Sequence, residues 1–600
     1  MLVYGDREQR ENPSAVIDAL LSRTRALADL SPGLTRHAEL AGLLIEAGRL
    51  AQGLIDWEVA LRGGQDEVTE LSSAALLPAM NFARALWASY RSGFNPSGGE
   101  GFVKGLSALN ALRILKLPET VTLKEPEGYA FYALYPEAYM EASITTRGSL
   151  GDHLEVVGLR SIGTGLACAV AIALGSDRLP VTLRPGGHPF QRTLSLGPAL
   201  NARLTKGAPT LRLAVVDEGP GMSGSSFGSV ADLVEDAGVP GEQVHFFPSH
   251  RGDLGPPASE RHRRRWSRAS KHVVDFEPLF VVPRGRAPTL SAWAEDVTGP
   301  PMAPLEDVAG GGWRRHLFTS EAEWPAVHPH WERRKYLLHS ESGTWLFKFS
   351  GLGAVGERKW RRAQALGGAG LIPPASALRH GFLVQPWLRE ARPLTRCADF
   401  SRPEFIKRCA QYLAFRATRL ATPGAGGGAS PQGLFEMARF NVGKALGECD
   451  AAALDRFAPE LDRYGSWIRP VETDNRMHAW EWLRLPDGRW LKADALDHCE
   501  THDLVGTQDV AWDIAGASVE LALSDDEETE LAGRIARLVD QADRPRLRTF
   551  YKAAYLAFQL GFHHLAADSV AGSEAVEAAR LRARAEGYGQ QLQRFLAKLA

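Results

Sequence analysis

Cysteine is scarce in this chain. Five residues in 600 (Cys168, Cys397, Cys409, Cys449 and Cys499) lie scattered and without metal-ligand spacing. That excludes a disulfide framework and a cysteine-bound zinc module, and it suits a reducing compartment. Long apolar runs are missing as well. No stretch of about eighteen apolar residues occurs, and Met1 to Asn12 is polar, so neither a membrane span nor a secretory leader is expected and the expected location is cytoplasmic. Nor does one sign of charge dominate: 69 basic and 71 acidic residues leave a net charge of −2, which gives no global attraction to nucleic acid. What remains is ordinary globular material, 44 % hydrophobic and 23 % charged, at a length that implies several domains.

Residues 1–115 carry amphipathic patterns over Ala15 to Leu27, Leu40 to Leu54 and Ala74 to Tyr90, and read as a helical cap. From Thr120 the period changes. TVTLKEPEGYAFYALYPEAYMEA alternates and is rich in aromatics, as two strands around a turn would be. Leu154 to Leu174 then reads as strand, loop and helix, and Leu213 to Gly238 repeats the pattern. Two such units predict a doubly wound parallel α/β sheet over 116–283, with ligands at the carboxyl ends of its strands.

The second unit, LAVVDEGPGMSGSSFGSVADLVEDAG, carries the most chemistry. Backbone N–H groups at the helix start suit a phosphate monoester. Ser223, Ser225 and Ser226 add hydroxyl donors, while Gly219, Gly221 and Gly224 allow close backbone approach. Asp217 and Glu218 repel a phosphate and fit instead as acceptors for two neighbouring sugar hydroxyls.

VVDEGPGMSGSS resembles the PRPP-binding motif of type I phosphoribosyltransferases, departing from it in having Glu as the second acid and Ser where Thr is common. GLRSIGTGL, RPGGHPF and DEGPGMSGSSF together look like the members found in tellurium-resistance-type and related biosynthetic clusters. The resemblance implies PRPP as co-substrate, a pyrophosphate and its Mg²⁺ held by Arg160, Ser161, Gly163 and Thr164, and a mobile lid bearing Arg184, His188 and Arg192. Asp217 and Glu218 would grip the ribose. Arg261 to Arg268 (RHRRRWSR) is the densest basic run and reads as a solvated helix face rather than a nucleic-acid contact.

Residues 284–312 are rich in Pro and Gly, without periodicity, and read as a linker. Beyond it, Lys348 ends the apolar strand TWLFKF and Glu357 begins a helix within reach of that amine. EWLRL and RWLKA flank a Pro486-Asp487-Gly488 turn, with Asp474 before this hairpin and Asp494 after it. This order resembles the aminoglycoside-phosphotransferase-like kinases, an α+β protein-kinase-like fold that would occupy 313–600 with its C-terminal helices. The resemblance implies ATP phosphates on Lys348 with Glu357, Asp474 as base, Asp494 on Mg²⁺, an interlobe connection at Gly381 to Leu394 and a structural Asp513. The family's Asn five residues after the base is Ala479 here, so His478 or Asn475 must stand in.

The expected protein is therefore a bifunctional transferase for small molecules, joining PRPP-dependent ribosyl transfer, or its reverse, to an ATP-dependent kinase-like half. The alternative is a non-catalytic PRPP or nucleotide sensor with a pseudokinase scaffold. No membrane or nucleic-acid partner is expected, and the chain is compatible with a homodimer.

Overall fold

The computed structural model describes residues 7–95, 100–146, 148, 153–282, 285–422, 428–500 and 503–599. Its first layer is helical: Pro13–Ala26, Leu34–Leu61, Glu70–Arg91 and Glu100–Arg113. The Asn12 carboxamide accepts from Ala15 N–H and Pro13 opens the first turn, a standard N-terminal stop. Thr69 and Ser72 form a reciprocal capping box on the third helix. Leu34–Leu61 is longer than the amphipathic stretch predicts because it is buried on several sides. One side meets the helix Ile162–Leu174 so closely that a Cβ on Gly48 would lie 3.0 Å from the Gly165 Cα.

The aromatic stretch after Thr120 is a correction to the sequence reading. Only Val121–Glu125 is a strand, paired antiparallel with Arg7–Glu11. Glu127–Ala130 and Pro136–Ile144 are helical, each started by a proline at its N-terminus. The apparent alternation came from tyrosines buried at a helix rather than on a pleat: Tyr135, just before its first residue, and Tyr139 within it are 1 % and 3 % exposed.

The five-stranded parallel sheet runs Val181–Leu183, Leu154–Leu159, Arg212–Val216, Val244–Phe247, Ser270–Lys271 in spatial order. Successive residues face opposite sides. Val156, Ala214, Val216 and Phe247 pack on Ile162–Leu174 and the N-terminal helices, whereas Val157, Leu213, Val215 and Phe246 pack on the side of Ser225–Asp236 and Trp266. Both faces are covered, as parallel sheets require. A two-stranded hairpin, Gly186–His188 with Gln191–Thr193, stands off one end.

The second half opens with an antiparallel sheet ordered Glu306–Asp307, Lys335–Ser340, Gly343–Phe349, Phe382–Pro386, Ala377–Arg379, with the helix Gly353–Gly368 following its third strand. A smaller sheet (Arg392–Pro393, Trp482–Arg484, Trp490–Lys492) and a helical lobe complete it.

Residues 285–312 do not form a free linker. Leu290, Ala294, Thr298 and Val308 are fully buried, and Glu306–Asp307 pairs with Lys335–Ser340. The boundary itself, 283–284, lies outside the described residues. One continuous core joins the N-terminal helices, a face of the parallel sheet and the inner face of the antiparallel sheet.

Candidate functional site

Between the antiparallel sheet and the helical lobe lies a cleft of about 270 Å³. Leu346, Leu383 and Ile372 form apolar walls on one side and Leu483 lines the other, with Gln385, Pro386, Trp387 and Leu388 as part of its lining. Lys348, near the end of its strand, reaches into the cleft and pairs with Asp494 and, at 2.5 Å, with Asp497. Lys359, on the helix Gly353–Gly368, holds the other oxygen of Asp497 at 2.7 Å and is fully buried. Burial pushes the Lys348 ammonium down, but the charges of Asp494 and Asp497 more than reverse it and leave it above the ordinary lysine value. Both carboxylates are held well below theirs against burial, Asp494 and Asp497 alike by Lys348 first among the neighbouring charges. Asp494 itself sits at φ +49°, a left-handed conformation uncommon for a residue with a Cβ.

Lys348 and Asp494 thus meet directly, whereas Glu357, the partner the sequence suggested for Lys348, is exposed on its helix while Lys359, two residues on, contacts the acids. Asp474 does not line the cleft. It is 1 % exposed, accepts a hydrogen bond from the Tyr412 hydroxyl, and is 3.2 Å from Lys492 Nζ. A base needs access to a substrate hydroxyl, and Asp474 has none. Asp513 explains where the chain turned: its two carboxylate oxygens accept the N–H groups of Asp474 and Asn475, each at 2.8 Å. The next residues therefore present Arg476 and, after it, Glu481 to the cleft. Glu481 is 2.7 Å from Lys492 Nζ. Burial raises its carboxyl, Lys492 lowers it, and the charges of Asp494 and Asp474 raise it again, leaving it pushed up to about 8. His478 lines the same cleft as Asp494; its Nδ1 is 3.0 Å from Glu520, and its ring stacks on Trp480 at 4.2 Å.

In the first half, Gly163 lies against the end of the Arg212–Val216 strand; a Cβ there would sit 2.6 Å from the Val216 carbonyl and 3.6 Å from the Asp217 Cα. The Arg160–Thr164 turn and the acid pair are therefore neighbours. Ser161 adopts φ 154°, ψ −110°, a strained backbone of the sort that clusters at ligand sites. The Thr164 hydroxyl is buried with no hydrogen-bond partner among the described residues. Gly221 and Gly224 take the left-handed conformations that the loop before Ser225–Asp236 requires.

The charged groups here are placed otherwise than expected. The Arg160 side chain is fully buried and bound to Asp56 (2.8 Å), Asp66 (2.5 Å) and the Thr182 carbonyl (3.0 Å). Arg184 also pairs with Asp56, at 2.5 Å. Burial pushes Asp56 up, yet the Arg184 hydrogen bond and the two guanidinium charges hold it below the ordinary carboxyl value. Neither arginine is thereby directed at a diphosphate. Arg192 donates to the Gly187 carbonyl inside its own hairpin. Ser225 donates its hydroxyl to the Pro189 carbonyl at 3.1 Å, and Ser223 donates to Ser225 at 2.9 Å, so the hairpin tip rests on the serine loop. Ser226 is half-buried beside them. Glu218 accepts the Gly128 N–H at 3.1 Å, and Tyr139 donates to the Asp217 carbonyl at 2.9 Å.

The sequence reading missed Asp497, Lys359, Arg476 and Glu481. A signal existed for the first two: Asp497 follows Asp494 by three residues, and Lys359 shares a helix face with the buried Val355, Arg362, Ala363 and Leu366. No signal marked Arg476 over Asp474, because the choice rests on loop geometry.

No family model and no curated relative matches this chain. Among solved structures, it is similar to the choline kinase LicA from Streptococcus pneumoniae (14 % identity, 44 % of this chain and 90 % of that one, TM-score 0.32). It is also similar to a choline/ethanolamine kinase family protein from Mesorhizobium loti (15 %, 51 % and 97 %, TM-score 0.30) and to a macrolide 2′-phosphotransferase type I (14 %, 49 % and 95 %, TM-score 0.31). At such identities and scores the likeness identifies no family and assigns no activity.

Proposed function

We propose that the cleft binds an Mg²⁺–nucleoside triphosphate, of the ATP class, and that the chain is a phosphotransferase acting on a small molecule. The observation that carries this is the trio Lys348, Asp494 and Asp497 at one end of an apolar cavity. A fixed ammonium with a carboxylate one-third exposed beside it is what a triphosphate and its divalent cation need, since phosphoryl transfer is mostly positioning and charge neutralisation. The all-oxygen donor set of Asp494 with Asp497 fits Mg²⁺, which when bound would offset charge on the transferring group. Lys348 orients the phosphates, and the walls at Leu346, Leu383 and Leu483 exclude water from a flat ring. Glu481, pushed up to about 8, is the cleft carboxyl suited to take a proton from an acceptor hydroxyl near neutral pH. Calorimetry with Mg–ATP is expected to show binding that weakens at least tenfold in Lys348→Ala. Undiminished affinity in that variant ends the proposal. ADP release with a panel of small alcohols should disappear in Asp494→Ala and fall in Glu481→Gln.

A non-catalytic nucleotide sensor is the second reading, and Arg476 favours it. A guanidinium lines the cleft five residues before Glu481, the spacing at which kinase catalytic loops carry their Asp and Asn. Mg–ATP binding without ADP release for any acceptor selects this reading.

For the first half, the strained Ser161, the partnerless Thr164 hydroxyl and the adjoining acid pair support a phosphorylated-pentose site, PRPP by class. The hairpin tip would have to lift from Ser225 to admit it. PRPP affinity that survives Asp217→Asn with Glu218→Gln removes this assignment.

A further inference from the structure

His37, Glu137 and His380 come from three separate parts of the chain: the helix Leu34–Leu61, the helix Pro136–Ile144 and the tip between Ala377–Arg379 and Phe382–Pro386. Their ligand atoms all lie within 4.8 Å of one another. His37 Nε2 is 2.9 Å, and His380 Nε2 3.3 Å, from the same Glu137 oxygen. The three side chains are 0 %, 0 % and 1 % exposed. From this geometry we infer that they form a structural site for a divalent metal of the zinc class, which staples the N-terminal helical layer to the antiparallel sheet.

Four features point past a simple hydrogen-bonded cluster. Two imidazoles crowd one carboxylate oxygen, while the other, Oε2, is buried without a hydrogen-bond partner among the described residues. An orphaned buried acceptor is costly, and a carboxylate binding through both oxygens would use it. Two imidazole nitrogens and a carboxylate make a ligand set that zinc takes, and metal bonds of about 2.0–2.2 Å put its nitrogen and oxygen donors roughly 3.3 Å apart. The observed 2.9 and 3.3 Å are of that size.

The third feature lies behind the ring. His37 Nδ1 is 2.9 Å from the Ser89 hydroxyl, the outer partner that orients a metal-binding imidazole and leaves its Nε2 lone pair forward. The fourth is backbone strain. His380 sits at φ +43°, and the Tyr135 hydroxyl donates to its carbonyl at 2.7 Å, so the tip is held in an unfavourable conformation that aims the ring inward. Phe94 stacks on His37 at 3.9 Å, and Tyr135 and Trp293 stand against His380 at 5.0 and 5.4 Å. The rings enclose a site whose three side chains are at most 1 % exposed, which suits a structural rather than a catalytic ion.

The experiment uses the full chain, purified without metal affinity resin and with no tag. Elemental analysis is expected to find about one zinc or similar divalent ion per chain. After chelation, Co²⁺ is expected to restore one equivalent with the visible absorption of a tetrahedral ion, and both metals to raise the thermal midpoint. Glu137→Gln and His380→Gln, checked for native circular dichroism, are expected to lose that equivalent. Metal-free protein with no Co²⁺ absorption and no thermal response overturns the inference, and so does a full equivalent retained in a folded His380→Gln. Because the wild-type Co²⁺ titration stands alone, failure of a variant to fold leaves a decisive reading.

Discussion

The acids around Lys348 divide their work by exposure. Asp497 is 4 % exposed at its side chain and contacts both Lys348 and Lys359, while Asp494 is 34 % exposed. Removing the Asp497 charge strands the buried Lys359 ammonium and takes from Lys348 one of its two partners, a loss of about 3–5 kcal/mol for breaking a buried pair from one side. Asp494→Asn leaves Lys348 its second partner. Chemical denaturation should therefore rank Asp497→Asn well below Asp494→Asn in stability, with nucleotide affinity lost in the latter despite its sounder fold. Equal destabilisation would contradict the division. These residues also mark how far the sequence carried. Lys348 and Asp494 stood out because one lies near the end of an apolar strand and the other just beyond one, and strands advertise their ends. The base assigned to Asp474 was displaced because only the Asp513 carboxylate, gripping two backbone N–H groups, decides which side chains turn outward. No spacing rule contains that contact.

At the scale of elements, the segment between Val308 and Arg333 bridges the two sides of the cleft. Arg314 reaches Glu577 at 3.1 Å with both side chains buried, and His328 contacts Ser569 at 2.8 Å while stacking on Trp331 at 3.9 Å. Trp313, His328 and Trp331 line the cleft. Burial, with the His330 charge alongside, pushes His328 down to about 4. An unfolded histidine titrates near 6.5, so between those values the unfolded chain binds the extra proton. The contribution of a neutral His328 is thus complete above about pH 6.5 and is lost as pH falls toward 4. His563, on the facing helix Pro545–Val570, is pushed down to about 3 by burial and acts in the same sense. Thermal midpoints of wild type and His328→Gln should accordingly converge as pH is lowered from 7.5 to 5, the wild type losing more. Parallel curves would show that the imidazole is not held neutral. The sequence offered little here, since a segment built from short turns and isolated aromatics carries no period to read. The parallel sheet was legible by contrast, because its apolar runs alternate with glycine loops, and the helices buried on several sides were legible only in part.

At the scale of the whole molecule, the largest core ignores the division drawn from composition. Tyr135 packs on Phe276 at 5.3 Å, Phe276 on Phe382 at 5.5 Å and Phe280 on Trp293 at 4.9 Å, so residues from both halves and from the Pro-rich stretch share one aromatic cluster. Around it, Arg358 reaches Glu125 at 2.6 Å, Leu352 N–H donates to the Tyr129 carbonyl at 3.0 Å, and Gly42 comes close enough to Gly353 that a Cβ would lie 3.4 Å from its Cα. Proline and glycine in that stretch suggested a flexible joint, but irregular backbone packs as tightly as regular backbone once its apolar side chains have somewhere to go. Separating the pieces of a chain cut near residue 284 would expose the buried Tyr135, Leu338, Phe349 and Phe382 to water, and contiguous apolar surface promotes aggregation. Separate fragments 1–283 and 313–600 are therefore expected to be insoluble or to associate, and the intact chain to melt in one calorimetric transition rather than two. Two independent transitions, each reproduced by a soluble fragment, would mean that the common core contributes nothing to cooperativity. One transition would mean instead that ligand binding in either half raises the melting temperature of both, since free energy added to one part of a cooperative unit stabilises the whole.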